Sequence, residues 1–137
     1  MLRRNQKVEL IRHAPLFAHV SKRQLEQIAQ IADEIDLREG KEMTTQGSRG
    51  REFFVLLDGN ADVKKNGRRI NTLGPGDFFG EIALVSDTPR TATVIATSPV
   101  RALVITDRSF RRLMADTPEI QERVLSALAA RLAPDLV

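Results

Sequence analysis

Helical ends around a mainly β middle predict an antiparallel β-roll or jelly roll, a double-stranded β-helix, with N-terminal helices before it and two C-terminal helices after it. Three observations carry that prediction. Apolar residues follow helical spacing up to about residue 33 and again after residue 106. Between those segments, short apolar or alternating runs are separated by turn residues. Two of the runs flank Asn66-Gly67, a strong hairpin signal because a type I′ turn needs positive φ at both central residues. The 137 residues are expected to form a single domain over 1–137. Its parts are N-terminal helices over about 1–33, the roll over 34–106, and C-terminal helices over 107–133. A chain of this length buries roughly two-thirds of its unfolded surface, enough for a real core.

The elements follow in order. Residues 5–13 suit a short helix with Val8, Leu10 and Ile11 on its apolar side, stopped by Pro15. Ser21, with Gln24 three positions on, is a capping-box pattern. Leu25, Ile28, Ala29, Ile31 and Ala32 then continue at helical spacing. The strand-like runs are IDLR, EMTT, EFFVLLD, ADVKK, RRINTL, TATVIAT and VRALVIT. Gly40, Gly47, Gly50, Gly59, Asn66-Gly67 and Gly74-Pro75-Gly76 break them apart. Many short antiparallel strands at this spacing build a roll or barrel. Thr106 or Asp107 then caps a helix whose face is Phe110, Leu113 and Met114. Thr117-Pro118 is a cap followed by a first-turn proline. The last helix carries Ile120, Val124, Leu125, Leu128 and Leu132 on one side, and Pro134 ends it.

Composition removes several classes of function. No apolar run reaches the ~18 residues of a membrane span. The opening MLRRNQKVEL is basic but lacks the apolar centre of a secretory signal, so a cytoplasmic protein with no membrane contact is expected. Zero cysteines exclude disulfides, thiolate metal sites and cysteine nucleophiles. The net charge of +3 is small. The pI of 9.8 is high because no Cys or Tyr titrates between neutral and alkaline pH, so it argues little for nucleic acid. With no Trp or Tyr, base-stacking platforms are not expected. His13 and His19 are the two histidines, so neither a metal set nor a partner for Ser86 or Ser98 exists between residues 20 and 137. No metal, no cofactor and no enzyme activity are expected. The basic run Lys64-Lys65-Asn66-Gly67-Arg68-Arg69 reads as a soluble hairpin tip. A helix-turn-helix would have to follow the last helix, and the chain leaves no room for one, so direct DNA binding is not expected.

Residues 74–94 break the alternating texture. Glu81 to Val85 suit one helical turn inserted between strands. The first amides of such a turn lack an intrahelical acceptor and suit an anion. Gly80 has no side chain to block approach to them. Arg90 offers a fork matched to phosphate oxygens. Glu81 is an acceptor suited to a sugar hydroxyl. Together these suggest a sugar phosphate.

Phe-Gly-Glu-Ile-Ala-Leu, five residues, then Arg-Thr-Ala-Thr-Val resembles the phosphate-binding cassette of the cyclic-nucleotide-binding family, here over 78–92. That family includes regulatory subunits of cAMP-dependent kinase, catabolite activator proteins and cyclic-nucleotide-gated channels. Leu16-Phe17, Phe53-Phe54-Val55-Leu56 with Gly59, Gly76-Asp77 and the two closing helices extend the resemblance over nearly the whole chain. It implies that Glu81 binds the ribose 2′-hydroxyl and that Arg90 pairs with the cyclic phosphate. Amides at Ile82, Ala83 and Ala92, beside Gly80, would complete the phosphate shell. Thr91 would sit near phosphate and base. The family's stacking aromatic in the last helix has no counterpart, since that helix has none. Its apolar stripe instead offers Leu125 and Leu128 to the base, with Arg131 as a polar contact. The expected function is a regulatory sensor that binds cAMP, with cGMP as the alternative. Its ligand state would pass to an effector protein or a second copy through the C-terminal helix. The alternatives are the sensor part of a catabolite-activator-type transcription factor and a structural relative that does not bind.

Overall fold

The computed structural model describes the backbone of residues 3–132 and the side chains of residues 3–130. Helices α1 (Arg4–Ile11) and α2 (Lys22–Gln30) come first. Eight strands follow: β1 (Asp33–Leu37), β2 (Glu42–Thr44), β3 (Glu52–Asp58), β4 (Ala61–Lys65), β5 (Arg68–Leu73), β6 (Phe78–Phe79), β7 (Thr93–Ala96) and β8 (Val100–Thr106). Helices α3 (Asp107–Asp116) and α4 (Pro118–Leu132) close the order. The expected β-roll with flanking helices is therefore the observed fold. Two compact units divide these elements, one drawn from Met1–Ala32 and Arg108–Val137, the other from Asp33–Asp107.

The roll consists of two antiparallel sheets, ordered β1-β8-β3-β6 and β2-β7-β4-β5. Its interior cluster joins Phe54 and Leu56 of β3, Ala61 of β4, Val94 and Ala96 of β7, and Val100, Ala102 and Val104 of β8. Both sheets contribute, so this cluster is what holds them face to face. Each large apolar side chain so buried contributes about 1.5–3 kcal/mol. Strand β3 is buried at four successive positions, Phe53 to Leu56, which is why it reads as a continuous apolar run rather than an alternation. Asn66 and Gly67 adopt φ of 55° and 78°, the backbone that the β4–β5 hairpin turn requires. Strand β6 was not visible among the sequence runs. It has two residues, paired to Phe54 and Val55 of β3, too few to show a period.

The helical unit confirms the capping box: Gln24 N donates to Ser21 Oγ at 3.2 Å, and Ser21 N donates to Gln24 Oε1 at 2.9 Å. Helix α1 ends at Ile11, two residues before the expected end. Pro15 does more than stop it. It opens a 3₁₀ turn, Pro15–Phe17, that buries Leu16 and Phe17. The Phe17 ring meets Phe110 of α3 at 5.7 Å. Helix α4 corrects the expected stripe. Ile120, Val124 and Ala127 are its buried residues, whereas Leu125 is 57% exposed. The side chains of Arg131 and Leu132, and all of Pro134, lie outside the described residues.

Candidate functional site

The turn at Gly74-Pro75-Gly76-Asp77 delivers the chain to the site. Gly74 N donates to Asp77 Oδ2 at 2.7 Å, and Asp77 N donates to the Gly74 carbonyl at 3.0 Å. Two further bonds pin the turn to β3: Gly76 N to the Leu56 carbonyl and Leu56 N to the Asp77 carbonyl, each 2.8 Å. Strand β6 follows, and then Gly80 at φ +83°. That left-handed backbone favours glycine, and it swings Glu81–Leu84 into one 3₁₀ turn. Leu84 is fully buried and anchors the turn, while Glu81 is only 8% exposed. The Ala83 amide donates to the Gly80 carbonyl at 3.1 Å, and the Val85 and Ser86 amides both donate to Ile82. An anion would therefore meet Ala83 N as a shared donor, while Glu81 and Ile82 carry the leading amides of the turn.

Arg90 stands across from this turn. Its backbone is clasped by the loop before β3: Gly47 N donates to the Arg90 carbonyl at 2.8 Å, and Arg90 N donates to the Ser48 carbonyl at 2.7 Å. Its Nη2 donates to the Glu52 carbonyl at 2.6 Å. A methyl group built on Gly50 would overlap Arg90 Nε. One on Gly80 would overlap Arg90 Nη1 and lie 2.7 Å from the Glu52 carbonyl oxygen. The guanidinium thus lies in a slot that two glycines keep open. Burial pulls Arg90 below its ordinary pKa, and the Glu52 carboxylate partly offsets that. A half-desolvated cation of this kind gains when an anion arrives. An Arg49–Asp87 ion pair and a bridge between Arg49 and Pro89 close the rim beside it.

Between the 3₁₀ turn and Arg90 lies a cavity of about 370 Å³, within the usual range for small-molecule sites. Gly80, Glu81, Ile82, Ala83, Arg90, Thr91 and Ala92 all line it. Thr44, Val63, Leu73, Phe79, Thr88, Pro89 and Val94 complete the lining. None of these seven was singled out in the sequence: Thr44, Val63, Leu73, Phe79 and Val94 lie on strands, where a residue that faces a cavity and one that faces a core give the same alternating signal, while Thr88 and Pro89 lie in the loop before Arg90. Thr44 also supports the wall. Its Oγ1 donates to the Ala92 carbonyl at 3.0 Å and accepts from Val94 N at 3.1 Å, replacing ladder bonds lost where β2 shifts register against β7. Phe79 stacks on Phe54 at 4.9 Å, which ties the cavity to the core. Of the remaining candidates, Leu125 and Leu128 lie on α4, exposed and partly buried respectively. The side chain of Arg131 lies outside the described residues. Among the described residues no cluster of metal-ligating side chains occurs, and no helix is long and apolar enough to cross a membrane. The arrangement suits a small anion that carries a hydroxyl and a flat apolar part: cation and amides at one end, a buried carboxylate beside them, apolar walls beyond.

Comparison with known proteins points the same way. A model of the cyclic nucleotide-binding domain matches residues 34–117. The chain is 36% identical over 121 residues to a cAMP-dependent protein kinase regulatory subunit of Mycosarcoma maydis, covering 80% of the chain and 22% of that relative. It is 35% identical over 105 residues to a cGMP-dependent protein kinase of Toxoplasma gondii, covering 77% and 11%. It thus spans less than a third of the length of these curated relatives. Among solved structures, the N-terminal domain of a transcriptional regulator from Streptomyces coelicolor A3(2) superposes with a TM-score of 0.79 at 27% identity, covering 92% of each chain.

Proposed function

The chain belongs to the cyclic nucleotide-binding domain family, and from that membership we propose that its cavity takes cAMP, with cGMP as a second ligand, and that α4 relays the bound state. Arg90 and the amides of Ile82, Ala83 and Ala92 would hold the cyclic phosphate, with Gly80 giving it room. Glu81 would accept the ribose 2′-hydroxyl. The base would lie against Val63, Leu73, Phe79 and Val94. One observation carries this reading: the seven cassette residues of the sequence motif line a single cavity. The name of the fungal relative supports cAMP, and that of the Toxoplasma relative keeps cGMP in play. Thr91, at the cavity wall, is the hydroxyl through which guanine would be accepted. Side-by-side calorimetric titration tests the choice. Tighter binding of cAMP is expected, and tighter binding of cGMP would reverse the assignment.

Signal output through α4 is supported by its exposed Leu125, an apolar side chain on the surface of its own unit. The partner would be an effector protein or a second copy of the chain. Hydrogen exchange should show amides of 118–132 slowing with cAMP, together with those of 80–92. Protection confined to 80–92 would remove the relay. The Streptomyces neighbour supports a second reading, in which the domain senses ligand on behalf of a transcriptional regulator.

A further inference from the structure

Lys64, Lys65, Arg68 and Arg69 crowd the tip of the β4–β5 hairpin. Their register sets Lys65 opposite Arg68 and Lys64 opposite Arg69, and like charges facing each other across a ladder destabilise it. Among the described residues none of these four joins an ion pair. Charge on an edge strand also serves solubility, but two features here exceed that need. The first is a bulge. Val63 pairs with Asn71 and Lys64 with Arg69, so Ile70 is the extra residue on β5. Bulges re-aim side chains, and Ile70 stands 59% exposed beside the cations. An edge defended for solubility alone would not project isoleucine. The second is a brace. Gln46 Nε2 donates to Asn66 Oδ1, and Asn66 N donates to Gln46 Oε1, each at 2.8 Å. The tip is held still, which lowers the ordering cost of binding.

We propose that this hairpin tip is a docking site for an acidic protein segment, an extended stretch rich in Asp and Glu with an apolar side chain that covers Ile70. Charge complementarity selects the acidic partner. Ile70 selects a protein, since a phosphate backbone offers nothing to an aliphatic side chain and the chain has no Trp or Tyr on which bases could stack. One projecting residue is also too little apolar area for a membrane surface. Strand β5 is the outer strand of its sheet, which leaves room for an extended segment alongside.

The test is fluorescence anisotropy of the full chain with a labelled Glu-rich peptide carrying one central Leu. Binding that weakens with salt is expected. Reversing the tip, Arg68→Glu with Arg69→Glu, should cost about tenfold or more in affinity. Ile70→Ser, which keeps every charge and disturbs no buried side chain, should cost about threefold. Arg108→Glu with Arg112→Glu changes the net charge of the chain equally on α3 and should cost less than about twofold. Equal losses for the two charge reversals would reduce the effect to bulk charge and overturn the site. So would no binding at low salt, or equally tight binding of a single-stranded oligonucleotide or of phosphatidylserine vesicles.

Discussion

Arg90 is positioned by its neighbours' backbones more than by their side chains. Two amide–carbonyl bonds fix its main chain, and the Glu52 carbonyl fixes its guanidinium. Gly50 and Gly80 matter through what they lack. Gly50→Ala would push the guanidinium out of its slot while leaving every charge in place. Nucleotide affinity is expected to fall by about tenfold or more, with the folded state retained by circular dichroism. Unchanged affinity would show that the slot does not set Arg90. Glu81→Gln should weaken cAMP while narrowing the preference over 2′-deoxy-cAMP, because a carboxylate accepts a hydroxyl's hydrogen bond more strongly than an amide oxygen does, and the deoxy ligand has no such hydroxyl to lose. Equal losses for both ligands would remove Glu81 from the ribose. Glu81 and Arg90 were legible in the sequence because they are charged side chains within the stretch 74–94 that breaks the alternating strand pattern. Gly50 and Glu52 were not, since one acts by an absent Cβ and the other by a carbonyl oxygen that any residue carries.

At the scale of elements, local chemistry was readable and tertiary choice was not. The Ser21–Gln24 box and the Asn66-Gly67 turn are set by residues within four positions of each other, and both form as the sequence indicates. Ser21→Ala should cost about 1 kcal/mol in a denaturant titration. The stripe of α4 could not be read the same way. Ile120 and Val124 fit helical spacing with Ala127 or with Leu128, and only packing decides that Ala127 is the buried one. Strand β6 escaped because two residues carry no period. The 3₁₀ turn of the cassette depends on Leu84, fully buried beneath it. Leu84→Ala should cost about 2–5 kcal/mol of stability and loosen the turn that presents Glu81 and Ile82. Thermal unfolding with and without cAMP would check both effects, as a lowered Tm and a smaller ligand-induced rise.

For the whole molecule, the roll of Asp33–Asp107 holds every residue that lines the cavity, and the helical unit carries α4, the element proposed to report on it. The roll was legible as a class from its turn residues. The cavity inside it was not, because five of its lining residues belong to strands whose pattern looks like ordinary core. A ligand that binds the folded state stabilises it by about 2.7 kcal/mol at a hundredfold excess over Kd, so cAMP should raise the unfolding temperature. The most direct measurement is a calorimetric titration of cAMP into the chain beside Arg90→Ala. Losing the phosphate's charge-assisted partner should cost about 2–5 kcal/mol. The expected result is saturable one-to-one binding by the parent and loss of most of that affinity in the variant. A parent that releases no heat, or an Arg90→Ala protein that binds within about threefold of it, would contradict the assignment of this cavity as the nucleotide site.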